Sequence, residues 1–148
     1  MIPRLGETAR TGIRYRLRPG AYAILLRDSD VLLTHQAEPV PEFQLPGGGI
    51  DSGESPVVSL HREVMEETGW RIGRPVRLGA YRRFTYMPEY DLWAEKLCHV
   101  YLARPALRHG QPTEPGHAAI WAPLSTACEM VASAGDRKFL SDLAARRL

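Results

Sequence analysis

A chain of 148 residues, with 44% hydrophobic and 24% charged side chains, has the length of one domain and an ordinary globular composition, which excludes a disordered or collagen-like chain. The net charge of +2 rests almost wholly on arginine, Lys96 and Lys138 being the only lysines, and so small a basic excess does not by itself argue for a nucleic-acid partner. Cys98 and Cys128 show neither a Cys-x-x-Cys pair nor zinc-type histidine spacing, and read as buried thiols in a reducing compartment.

The first residues, MIPRLGETARTG, hold no apolar core of the signal-peptide kind, and no window approaches the roughly 18 apolar residues of a membrane span. A cytoplasmic protein with no membrane partner is expected. Residues 1–18 carry Arg4, Arg10, Arg14, Arg16 and Arg18 and read as a solvated N-terminal arm or an edge strand of a single domain spanning 1–148. The segment AYAILLRDSDVLLTH then holds two apolar runs around Asp28, Ser29 and Asp30, the pattern of an antiparallel hairpin with a polar turn. Breaker-rich loops are expected at 39–46 and 110–116.

Next comes LPGGGIDSGESPVVSLHREVMEETGW, residues 45–70. Ser55 and Pro56 make a sound helix start, a capping hydroxyl followed by a proline at the first helical position, and Gly69 makes the stop. On that helix Val57, Leu60, Val64 and Thr68 form a docking stripe, and Glu63, Glu66 and Glu67 lie off it. Three glutamates near a helix C-terminus repel one another and oppose the helix dipole. One arginine, Arg62, does not balance them, so a divalent cation is the expected partner, and all-oxygen ligands select a hard ion such as magnesium or manganese. The PGGG run offers backbone that approaches a ligand closely.

Beyond the helix, PVRLGAYRRFTYM and EKLCHVYLAR read as strands joined near Pro88 and Glu89, and AAIWAPL as a short last strand. The C-terminal region, with Leu140, Leu143, Ala144 and Leu148 at helical spacing, is expected to break into two helices at Gly135. The order of elements predicts an α/β fold with a mixed sheet between helices. Phe43 and Trp121 read first as core, and His35, His61 and His99 as structural histidines.

The spacing of Gly48, Glu54, Arg62, Glu63, Val64, Glu66, Glu67, Gly69 and Trp70 resembles the Nudix box, over residues 48–70. Trp70 departs from the bulky aliphatic residue usual there. The resemblance implies a Nudix fold, a three-layer α/β/α sandwich. The implied activity is metal-dependent hydrolysis of a nucleoside diphosphate linked to a moiety X, by a pyrophosphohydrolase with Mg2+ as the usual cofactor and Mn2+ as a substitute. It further implies Glu63, Glu66 and Glu67 as metal ligands, with the Gly47 carbonyl as another. Arg62 orients Glu63 and Glu54, and Glu54 ties the loop to the helix, which completes the catalytic set. The general base stays open among Glu63, Glu66 and a carboxylate outside the box, for which Glu114 is the candidate. His35, Arg83 and Tyr86 are the expected substrate-binding residues, and the substrate is a small nucleotide. A homodimer is common in the family. Two rival readings are a non-catalytic nucleotide- or RNA-binding module of the same fold and an RNA-end pyrophosphohydrolase, the latter resting on the arginine arm.

Overall fold

The computed structural model describes residues 1–146, so Leu148 of the predicted helical stripe lies outside the described residues. The hairpin forms as β1 (Arg16–Arg27) and β2 (Asp30–Gln36), and Asp28 turns it with φ 55°, a conformation a short polar side chain tolerates. Residues 16–18 of the arm are therefore strand. Residues 3–5 run beside Arg82, whose N–H donates to Pro3 O and whose carbonyl accepts from Leu5 N–H, both at 2.8 Å.

Two short strands follow, β3 (Glu42–Gln44) and β4 (Gly47–Gly49). The loop expected at 39–46 thus contains a strand, because β2 offers it an antiparallel edge in the register Thr34↔Gln44. Helix α1 (Pro56–Thr68) has the predicted bounds: Ser55 Oγ accepts from Val58 N–H at 3.2 Å, and Gly69, at φ 76°, donates its N–H to Met65 O. β5 (Trp70–Ile72), β6 (Val76–Met87), β7 (Leu92–Ala103), β8 (Pro105–Arg108) and β9 (His117–Pro123) complete the strands, with a 3-10 turn at Pro88–Tyr90 between β6 and β7.

Two helices end the described chain, α2 (Leu124–Met130) and α3 (Ala134–Arg146). The break precedes Gly135, which lies instead in the first turn of α3 against Tyr81. A Cβ on Gly135 would stand 2.2 Å from that ring, so the glycine serves close packing rather than helix interruption.

The main sheet runs β3-β2-β1-β7-β6, with β4 also beside β1 and β9 beside β2. β1 is parallel to β7 and antiparallel to β2 and β4, while β5 pairs with β8 separately. Alternate residues of β1 feed two cores. Ala21, Ala23 and Leu25 pack with Leu60 and Val64 of α1, whereas Tyr22 and Ile24 pack with Leu124, Ala127, Leu140 and Leu143 of α2 and α3. At about 1.5–3 kcal/mol for each large apolar side chain fully buried, this double burial clamps β1 between layers. The result is the predicted α/β/α sandwich with a mixed sheet.

One expectation about α1 fails. Val57 is 38% exposed, while Ser59 and Glu67 join Leu60, Val64 and Thr68 as buried residues. The first turn of α1 meets glycine-loop backbone rather than apolar sheet, with Ser59 Oγ donating to Gly49 O at 3.3 Å. Glu67 follows Leu60 by two helical turns and so shares its face.

Candidate active site

The site is built where β4 lies between β1 and α1. Because Ala23 N–H bonds to Pro46 O and Ile50 N–H to Pro19 O, the antiparallel register Tyr22↔Gly47 leaves the backbone groups of Gly47 and Gly49 turned away from β1. They face α1 instead. Gly47 N–H donates to Glu67 Oε1 at 2.8 Å, and Gly49 O accepts from Ser59 Oγ and, at 3.5 Å, from Arg62 Nη2. Side chains are excluded at this seam: a Cβ on Gly47 would lie 2.2 Å from Ala21 O, and one on Gly48 would lie 2.6 Å from the Glu63 carboxyl.

Arg62 is the hub of the acidic cluster. It grips Glu54 with both ends of its fork, Nε to Oε2 at 2.8 Å and Nη2 to Oε1 at 2.9 Å. Nη1 reaches Glu63 at 3.1 Å and Glu66 at 3.3 Å. Glu54 Oε1 also accepts Asp51 N–H at 2.9 Å, which closes the loop onto the helix. The Arg62 guanidinium and this N–H hold the Glu54 carboxyl down to about 2.

Glu67 has the opposite environment. It is 5% exposed, and burial pushes its pKa well above the ordinary carboxylate value, opposed by the Gly47 N–H and reinforced by Glu63, Glu114 and Glu66. Burial also raises Glu63, with Arg62 opposing. The loop 110–116 folds over the end of α1: Thr113 and Glu114 both donate backbone N–H groups to Glu66 O at 2.8 Å. The backbone of Glu114 is thereby tied to the end of α1, and its charge acts on Glu63 and Glu67 from outside the box.

Beside Glu67 stands His117, its Nδ1 buried without a hydrogen-bond partner and 3.5 Å from Glu67 Oε2. Burial lowers the His117 pKa against the pull of Glu114, which disfavours the charged ring. Sequence reasoning passed over this residue; its only signal is its place directly after the loop that carries Glu114. Among the described residues, no three His, Cys, Asp or Glu side chains are placed so that they could together hold a metal ion. The donors nonetheless fit a hard divalent ion: the buried Glu67 carboxylate stands among like charges, and Arg62 bonds Glu54, Glu63 and Glu66 but not Glu67.

The carboxylates open onto a cleft of about 400 Å3 that Glu63, Glu67, Gly47–Gly49, His117, Arg83 and Tyr86 help to line. Two of the three expected substrate residues are therefore present. His35 is not: its ring packs against Phe43, centroids 4.8 Å apart, and its neighbour Gln36 lines the cleft, since successive strand residues face opposite ways. Tyr86 donates its hydroxyl to Asp91. A further cavity of about 490 Å3, between Arg27, Trp70 and Trp121, contains none of the glutamates. Phe43 and Trp121 pack against the two cores, as expected. His61 is exposed, Cys98 is buried and Cys128 half-buried, and both thiols are free. No helix among the described residues is long and apolar enough to cross a membrane.

An α/β/α sandwich whose glycine strand and glutamate helix frame an acidic cleft defines the class of fold and site. The chain belongs to the NUDIX domain family, whose sequence model matches residues 16–143. It is 36% identical over 122 residues to the CMP-5'-(N-acetyl-N-hydroxy-3-aminopropyl)phosphonate hydrolase of Streptomyces rubellomurinus, covering 78% of this chain and 56% of that one. It is also 36% identical over 74 residues, half of each chain, to a Bacillus subtilis protein whose 8-oxo-dGTP diphosphatase name is provisional. The chain thus spans about half the length of these curated relatives. A NUDIX hydrolase from Nitrosomonas europaea shares the fold at TM-score 0.72 and 19% identity, over 88% of this chain and 90% of that one. Nudix hydrolases generally use divalent metals.

Proposed function

We propose that this protein hydrolyses a nucleoside diphosphate linked to a moiety X, releasing a nucleoside monophosphate and phosphorylated X, with Mg2+ as cofactor and Mn2+ as a substitute. The observation that carries the reading is the union of Glu63, Glu66, Glu67 and Glu114 beside the side-chain-free seam of Gly47–Gly49, with Arg62 held by Glu54. When bound, the divalent cation supplies charge neutralisation to the diphosphate oxygens. Glu63, Glu66 and Glu67 would hold it, with the outward-turned Gly47 carbonyl and Glu114 as further oxygen donors. Arg62 and Glu54 position Glu63 and Glu66 rather than touch substrate. Glu63, Glu66 and Glu114 remain the candidates for taking a proton from the attacking water, and Arg83 and Tyr86 meet the substrate in the cleft.

A single domain, a cytoplasmic location and a homodimer belong to the same reading. An RNA-end substrate draws support from a Helicobacter pylori RNA pyrophosphohydrolase, 36% identical over 59 residues. In the arm, Arg4 lies over Phe84 at 5.4 Å and Arg10 over Trp93 at 5.0 Å, while both, like Arg14 and Arg16, stay exposed. A small-molecule substrate draws on the longer likeness, since the phosphonate hydrolase matches 78% of this chain and the RNA pyrophosphohydrolase 36%. The test is a hydrolysis screen over normal and damaged dNTPs, ADP-ribose, dinucleoside polyphosphates, nucleotide sugars and capped RNA with each metal. Turnover releasing a nucleoside monophosphate supports the proposal; nucleotide binding without turnover on any substrate replaces it with the binding-module reading.

A further inference from the structure

Three cations stand side by side on the floor of the cleft. Lys96 of β7 is directly opposite Arg18 of β1 in the parallel register and directly opposite Arg83 of β6 in the antiparallel one. Residues paired in this way send their side chains to the same face, and all three line the cleft that the glutamates enter.

Like charges placed directly across strands destabilise a sheet, and here no acidic side chain answers them by contact. Among the described residues none of the three forms a salt bridge. Arg18 lies over the Tyr90 ring at 5.0 Å, and Lys96 Nζ lies 5.9 Å from the Tyr22 ring centre. The buried acid Asp136 lies in a small recess that Lys96 and Arg83 also line. Its Oδ1 accepts the Tyr81 hydroxyl at 2.8 Å and its Oδ2 the Leu45 N–H at 3.3 Å, which ties it to the core. Glu42 and Glu89 also line the cleft. Burial pushes the Lys96 pKa down and Arg83 adds to the effect, while Cys98, Asp136 and Glu89 oppose it from a distance.

Resting on the hydrolase reading above, we propose that Arg18, Lys96 and Arg83 form a second phosphate subsite, which receives a phosphoryl group other than the diphosphate held at the glutamate helix. The substrate is then a nucleoside diphosphate derivative that carries a further phosphate. A neutral base or sugar on this floor would leave the charges uncovered, whereas a phosphate dianion offsets two of them.

The test uses the full chain in EDTA, titrated with inorganic phosphate and followed by 15N NMR. Saturable shifts are expected at Arg18, Arg83 and Lys96, with affinity falling at least tenfold in Lys96→Met and in Arg83→Gln; the second variant guards against a folding defect in the first. Absence of saturable shifts at these residues, or unchanged affinity in both variants, overturns the subsite. With Mg2+ present, 2'-phosphorylated ADP-ribose should exceed ADP-ribose in kcat/KM by at least tenfold in the wild type and by little in Lys96→Met. A wild type without that preference overturns the substrate class. Phosphate binding without any turnover refutes the hydrolase reading but retains the subsite, and turnover without phosphate binding does the reverse.

Discussion

Arg62 holds Glu54 through both arms of its guanidinium, at 2.8 and 2.9 Å, so the main cation of the acidic cluster is committed to a residue outside the metal-ligand set. A bidentate pair fixes the plane of the arginine. That plane in turn aims Nη1 between Glu63 and Glu66.

Glu54→Gln and Arg62→Lys should therefore act through the orientation of their neighbours. Supporting residues of metal sites typically contribute 10–100-fold in affinity or activity. Each variant is expected to lose about that much kcat/KM, with the metal concentration for half-maximal activity shifted upward. Steady-state rates across a Mg2+ titration check this; a wild-type metal response in both would remove Arg62 from the positioning role.

The same pair predicts an acid dependence. A carboxyl held down to about 2 in the folded chain binds protons more weakly than in the unfolded chain, so its stabilisation is present above the unfolded carboxylate pKa. It is lost as pH falls toward 2. Thermal unfolding of wild type and Glu54→Gln, followed from pH 6 downward, should show a gap in Tm at pH 6 that closes as the acid limit is approached.

Much of this was legible beforehand. Ser55, Pro56 and Gly69 announced the helix and its ends because capping is local chemistry, and the two apolar runs announced the hairpin because burial on both faces leaves unbroken hydrophobic stretches. The glutamates were legible as an unfavourable cluster. What escaped depends on contacts distant in sequence: Gly135 reads as a breaker until Tyr81 is packed on it, and His117 acquires meaning only beside Glu67. Strand parity placed Gln36 rather than His35 in the cleft. The row of Arg18, Lys96 and Arg83 exists only through register between three strands, one of them parallel to its neighbour.

Two glycines separate packing from function. Gly135→Ala forces a Cβ to 2.2 Å from the Tyr81 ring and should cost about 1–3 kcal/mol by overpacking. Gly48→Ala sets a Cβ 2.6 Å from the movable Glu63 carboxyl, so activity should suffer more than stability. Paired denaturant unfolding and rate measurements distinguish the two; equal stability losses with intact activity in Gly48→Ala would contradict the seam's role.

Metal should also be visible without turnover. A ligand that binds only the folded chain stabilises it by about 2.7 kcal/mol at a hundredfold excess over Kd. Mg2+ is therefore expected to raise the wild-type Tm by several degrees, and EDTA to reverse the shift. The increase should be small in Glu63→Gln.

The most direct measurement is turnover and stability of Glu67→Gln in saturating Mg2+, using whichever diphosphate substrate the screen finds best. Removing a buried carboxylate whose charge is disfavoured by its surroundings should leave the metal-free Tm unchanged or higher. At the same time kcat should fall by about a hundred- to a thousandfold, the scale of losing a group that stabilises transition-state charge. A folded Glu67→Gln that keeps near-wild-type kcat at saturating metal would contradict the account.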